Sequence, residues 1–129
     1  MKHSLNTILY VEDSPFIRAA AQLALETVGG FTLKMFESGE EAVLAGSAFK
    51  PDLILLDVML PGMDGPSTFA ALRKNPLMVD IPVIFMTGNV QPSDIQYYRD
   101  LGALDIIEKP FDPMTLAAQV LRIWTRAHS

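Results

Sequence analysis

Four short runs in this chain are apolar on both faces of a pleat: Ile8-Leu9-Tyr10-Val11, Leu53-Ile54-Leu55-Leu56, Val83-Ile84-Phe85-Met86, and the weaker stretch from Leu104 to Ile107. A strand that met water on one side would alternate apolar with polar residues. Runs without alternation belong to strands covered on both faces, as in a parallel sheet sandwiched by helices. A fifth run, Phe31 to Phe36, alternates more and is expected at a sheet edge.

Between these runs the period becomes helical. Ile17, Ala21, Ala24, Leu25 and Val28 fall on one helical face, which stops at Gly29-Gly30. Ser38 with Glu41 makes a capping-box signature ahead of Ala42 to Ala48. Pro66, Pro92 and Pro113 each stand where a first helical position is expected, and Gly102 stands as the C-cap of the fourth helix. Leu116, Ala117, Val120, Leu121 and Trp124 form the apolar stripe of the last helix. Strand then helix, five times over, with short connections and no repeat or low-complexity tract, predicts an α/β fold. Right-handed crossovers must then place helices on both faces of a doubly wound, five-stranded parallel sheet.

Bulk properties exclude several functions. A length of 129 residues suits one domain, read here over residues 1–129. The chain has no cysteine, which removes thiol catalysis and thiolate metal sites and makes the cytoplasm the expected compartment. The N-terminal stretch MKHSLNTILYVED carries too short an apolar run for a signal peptide or spanning helix, so no membrane association is expected. Ten Lys+Arg against fifteen Asp+Glu leave a net charge of -5, and there is no basic stripe to track a phosphate backbone. Direct nucleic-acid binding is therefore not expected.

In an open parallel sheet, ligands bind beyond the carboxyl ends of the strands, where the strand order reverses. This sequence places Glu12 and Asp13 after the first strand and Asp57 after the third. Thr87 and Gly88 follow the fourth, and Lys109-Pro110 follows the fifth. If the first and third strands are neighbours, three carboxylates share a small volume and repel unless a cation lies between them. Oxygen ligands without His or Cys indicate a hard ion, and a partial cage with room for water and phosphate suits Mg²⁺ better than Ca²⁺. Asp57 can then act as an in-line nucleophile toward phosphorus. Lys109 supplies a point charge, Thr87 a hydroxyl donor, and backbone N–H groups after Asp57 further donors.

Taken together and in order, these segments resemble the receiver domain of two-component response regulators over nearly the whole chain. "ILYVEDSP" looks like that family's acidic strand end, "LLDVMLPGMDG" its phosphoacceptor loop, "MTG" its hydroxyl position and "GALDIIEKPF" its closing lysine-proline. The resemblance implies a flavodoxin-like strand order of 2-1-3-4-5. It implies Asp57 as phosphoacceptor, with Thr87 and Lys109 on the phosphoryl group. It also implies Mg²⁺ held by Glu12, Asp13, Asp57 and the backbone carbonyl of Met59, and a cis Lys109-Pro110 bond. The implied partners are a sensor histidine kinase or histidine phosphotransfer protein upstream and a protein output partner downstream. Because the chain stops after the fifth helix, it is expected to be a stand-alone regulator or a fragment of a longer protein.

The family usually has an aromatic residue where this chain has Ile106, three positions before Lys109. The switch is therefore expected to work through the loop after Thr87 and the helix bearing Tyr97 and Tyr98. Met59 and Asn89 stand where the family tunes hydrolysis, and the bulk of Met59 suggests a slow attack by water. His3 and His128 are expected in solvent, and Met59, Met63 and Met86 as packing. Two other activities fit the layout. One is an aspartate-nucleophile phosphohydrolase, which would want an acid where Met59 stands. The other is a binding module: a degenerate receiver independent of phosphorylation, or a flavin or nucleotide carrier, against which the acidic "EDSP" loop counts.

Overall fold

The computed structural model describes residues 4–88 and 90–128, and in it all five expected strands join one parallel sheet. They are β1 (Thr7–Val11), β2 (Thr32–Phe36), β3 (Leu53–Asp57), β4 (Val83–Thr87) and β5 (Asp105–Glu108), in the order β2-β1-β3-β4-β5. Strands β3 and β4 are buried at every position, whereas β2 and β5 are partly exposed, as outermost strands must be. The order reverses between β1 and β3, which pair Ile8 with Leu53 and Val11 with Leu56. The crevice for a ligand therefore opens beside the ends of these two strands.

The sheet separates two apolar layers. On one side, Ile8, Tyr10, Leu55, Ile84 and Met86 pack against Ala21, Ala24 and Leu25 and against Leu116, Val120 and Trp124 of α5 (Leu116–Ala127). On the other, Leu9, Val11, Ile54, Leu56 and Phe85 pack against Ala42 of α2 (Gly39–Phe49), Phe69 and Leu72 of α3 (Gly65–Leu72), and Tyr98 of α4 (Pro92–Leu101). Alternate residues of each strand feed opposite layers, which is why the runs are apolar throughout.

Helix α1 (Pro15–Gln22) continues as a π-helical turn over Leu23–Val28. There Gly29 N–H donates to Ala24 O, five residues back. The wider turn carries Val28 off the helical face, so Val28 is exposed while Ala21, Ala24 and Leu25 are buried as expected. In α5, Leu121 likewise lies outside the stripe and Ile123 takes its place in the core. Pro66 and Pro92 lie in the first turns of α3 and α4. Pro113 does not start α5. It sits in a turn closed by hydrogen bonds from Thr115 N and Leu116 N to Asp112 O, and the helix begins at Leu116.

Two caps behave as their sequence suggests. Ser38 Oγ accepts from Glu41 N at 3.1 Å, and the Glu41 carboxylate reaches back to Glu37 N. Gly102 closes α4 at φ 111°, a left-handed conformation that a Cβ would oppose. Among the described residues, no helix is long and apolar enough to cross a membrane.

Candidate functional site

The parallel ladders run one residue beyond several strands and so bring the expected residues to one edge. Glu12 N donates to Phe36 O, Val58 N to Met86 O, and Lys109 N to Thr87 O, at 2.8–3.0 Å. Glu12, Asp57 and Thr87 are all nearly inaccessible, at 1, 2 and 4% exposure, so two carboxyl groups are buried side by side. Burial of that kind is tolerated only with a compensating charge.

Lys109 supplies that charge. Its Nζ lies 3.0 Å from Asp57 Oδ2 and 3.0 Å from Glu12 Oε1. Burial works against the ammonium, but the hydrogen bonds to Asp57 and Glu12 outweigh it and raise the Lys109 pKa above its ordinary value. Burial pushes the Glu12 carboxyl up; the Lys109 hydrogen bond opposes that shift and the Asp57 charge adds to it. The other oxygens are also engaged: Glu12 Oε2 accepts from Ser14 N at 3.2 Å, and Asp57 Oδ1 from Met59 N at 3.3 Å.

Asp13 is exposed, yet it completes an acidic group. Glu12, Asp13 and Asp57 each offer a carboxylate oxygen, and these lie within 4.8 Å of one another. The donors are all oxygens, without imidazole or thiolate, so the set fits a hard divalent cation. The Asp13 loop is held by a residue that the sequence reading passed over. Arg18 Nη1 donates to Glu12 O at 3.1 Å and Asp13 O at 2.8 Å, while Nη2 pairs with Glu37 at 3.0 Å. Its place at the first turn of α1, whose N-cap is Ser14, was the available signal.

Helix α3 approaches the back of Asp57 unusually closely. A Cβ on Gly65 would stand 2.5 Å from Asp57 O and 2.7 Å from Val58 Cα, so only glycine fits there, and Gly65 N–H caps Val58 O at 3.0 Å. This contact fixes the loop that follows the acid.

Several expectations need correction. The three methionines do not gather: Met86 is core, whereas Met59 is 77% exposed. His128 is not free in solvent, because its ring stacks on Trp124 at 3.7 Å and its Nδ1 lies 2.8 Å from Trp124 O. Asn89 and His3 lie outside the described residues. Near Ile106, the aromatic surface comes from α4. Tyr98 packs on Phe85 at 4.9 Å between centroids, Tyr97 meets Tyr98 edge-on at 5.1 Å, and Phe85 is the register partner of Ile106.

Beside the acids, Phe16, Ile17, Ala20, Phe111 and Pro113 line an apolar groove of about 480 Å³ that reaches Lys109. Another concavity, of about 470 Å³, lies at the opposite ends of the strands around Asp52 and Trp124, away from this chemistry.

Comparison with known proteins agrees with this geometry. Residues 8–121 match the response regulator receiver domain. The transcriptional regulatory protein CseB of Streptomyces coelicolor is 37% identical over 119 residues, covering 92% of this chain and 49% of that protein. Among solved structures, the chemotaxis protein CheY4 of Vibrio cholerae superposes with a TM-score of 0.84 at 28% identity, over 93% of this chain and 99% of that one. The receiver domain of the sensor histidine kinase PA1611 of Pseudomonas aeruginosa gives a TM-score of 0.79 at 28% identity, over 95% and 97% of the two chains. That structure has a magnesium ion coordinated in its active-site cleft.

The chain belongs to the response regulator receiver family of two-component signalling, with the flavodoxin-like fold of CheY. Receiver domains are signalling modules that interact with histidine kinases or phosphotransfer proteins, and are not enzymes in their own right. The chain spans about half the length of the curated relatives it matches.

Proposed function

We propose that this receiver is a Mg²⁺-dependent phosphoacceptor, modified on Asp57 by a histidine kinase or histidine phosphotransfer protein in the cytoplasm, and that the modification switches binding of a downstream protein. The observation that carries this reading is the buried Asp57 carboxylate, held by the Lys109 ammonium at 3.0 Å beside two further acids.

The carboxylate is a competent nucleophile with no proton to lose. An Asp57 oxygen attacks phosphorus in line, the P–N bond of the donor phosphohistidine breaks, and its electron pair returns to the imidazole, which takes a proton from solvent. Lys109 then turns from Glu12 toward one phosphoryl oxygen, and Thr87 donates its hydroxyl to another. Glu12, Asp13, Asp57 and the Met59 carbonyl would hold Mg²⁺, which supplies charge neutralisation for the phosphoryl group. The ion bound by the Pseudomonas receiver supports this assignment. The apolar groove ending at Lys109, with Phe16 exposed at its rim, suits docking of the donor protein.

The product group carries a charge of about -1.5 to -2 where the free carboxylate carried a single negative charge. Such a group acts only through its different fit to two states of the neighbouring loops. Intact mass after incubation with Mg²⁺ and acetyl phosphate tests the chemistry. Wild type should gain one phosphate only when Mg²⁺ is present, and Asp57→Asn should gain none. An unlabelled wild type, beside a receiver that is labelled under the same conditions, would leave a module that works by binding alone.

A further inference from the structure

Arg18 stands at the first turn of α1, where the helix dipole is positive and a cation is ordinarily disfavoured. Its guanidinium is partly buried and engages main-chain oxygens: Nη1 donates to Glu12 O at 3.1 Å and to Asp13 O at 2.8 Å. Nη2 pairs at 3.0 Å with Glu37, an exposed residue in the turn between β2 and α2. One side chain thus ties together the end of β1, the Asp13 loop and the turn ahead of α2.

Glu12 and Asp13 carry two of the three carboxylates whose oxygens lie within 4.8 Å of one another. Asp57 is fixed by its strand and Glu12 by its burial. Asp13 is exposed, so packing does little to fix it, and hydrogen bonds to its main chain must do so instead. A second tie across the loop, from Ser14 N to Glu12 Oε2 at 3.2 Å, occupies a carboxylate oxygen that a cation would claim. The bonds of Arg18 go to carbonyl oxygens outside the acidic group, so a cation can enter without breaking them.

We propose that Arg18 is a positioning residue for the divalent-cation site. By holding both carbonyls, braced by Glu37, it fixes the Asp13 carboxylate where a cation meets it together with Glu12 and Asp57. The inference rests on the reading of that acidic group as the Mg²⁺ site. The charge of Arg18 by itself acts in the opposite direction. A guanidinium near the acids repels a second cation, so its removal would tighten Mg²⁺ binding if charge alone mattered. Positioning requires weaker binding, and the two accounts differ in sign.

Calorimetric titration of the unphosphorylated protein with MgCl₂ tests this. The Kd for Mg²⁺ should rise about tenfold in Arg18→Ala, the ordinary effect of removing a residue that orients a metal ligand. Arg18→Lys keeps the charge but offers a single nitrogen, which cannot serve the carbonyls and Glu37 together, so its Kd should lie between the other two. Glu37→Ala should also raise Kd, and should do nothing further once Arg18 is alanine. In phosphorylation by acetyl phosphate, the Mg²⁺ concentration for half-maximal rate should rise with Kd, and excess Mg²⁺ should restore the rate of Arg18→Ala.

An Arg18→Ala variant that binds Mg²⁺ as tightly as wild type, or more tightly, would overturn the proposal. So would an effect of Glu37→Ala that persists undiminished in the Arg18→Ala background. Where Arg18→Ala does not fold, Arg18→Lys decides: a raised Kd supports the proposal and an unchanged one overturns it. Wild type that binds no Mg²⁺ would defeat the reading of the acids as a Mg²⁺ site together with this inference. Wild type that binds Mg²⁺ beside an unchanged variant defeats this inference alone.

Discussion

The Lys109 ammonium stands 3.0 Å from Asp57 Oδ2, in a space so confined that the same nitrogen also reaches Glu12 Oε1. One cation therefore balances two buried anions in the resting protein. Lys109→Met should leave both carboxylates facing each other without compensation. Unfolding free energy at pH 7 should fall by about 3 kcal/mol, measured by urea denaturation. Most of that loss should return as pH falls and Glu12, whose folded pKa burial already raises, takes up a proton in the folded state. A loss independent of pH would point to lost packing of the lysine stem.

Glu12 should leave its own pH signature. Its folded pKa is raised above the ordinary 4.5, chiefly by burial. Between 4.5 and the raised value, the folded protein keeps a proton that the unfolded chain has lost, so stability falls as pH rises through that window. Glu12→Gln removes the titration. Urea unfolding of both proteins from about pH 4 to about pH 7 should show the variant gaining on wild type with rising pH. A constant gap between them would contradict the assignment.

Gly65→Ala is expected to damage the site from behind. The added Cβ would meet Asp57 O at 2.5 Å and Val58 Cα at 2.7 Å, and backbone cannot give way as a flexible side chain can. Stability should fall by about 2 kcal/mol. The phosphorylation rate should fall too, because the carboxylate is carried on the displaced strand end. Retention of full rate would show that the strand end can shift without moving the acid.

The aromatic contact between Tyr98 and Phe85, rather than a ring at position 106, is expected to link the site to α4. Hydrogen exchange should show protection of α4 changing when wild type is phosphorylated. Ile106→Tyr should leave that change in place, whereas Tyr98→Ala should abolish it and lower stability by about 1–2 kcal/mol. A strong effect of Ile106→Tyr would instead assign the coupling to β5.

Local pattern was enough to reveal the sheet and the residue types gathered at its edge. Unbroken apolar runs at Ile8, Leu53 and Val83 can be satisfied only between two layers, and the acids, hydroxyl and lysine follow those runs directly. The strand order 2-1-3-4-5 came from family resemblance, because periodicity does not encode which strands become neighbours. Element ends were less legible. The π turn that moves Val28 out of the core depends on how α1 packs, and the choice of Ile123 over Leu121 depends on the rotation of α5 against the sheet.

The sequence by itself determined the alternation of strand and helix and the residue types at each strand end, because both follow from side-chain polarity at fixed spacing. Tertiary structure alone decided that Lys109 meets Glu12 from 97 residues away and that Arg18 holds the Asp13 loop. Those relationships are set by distances across neighbouring strands and loops, and such distances exist only once the sheet has closed.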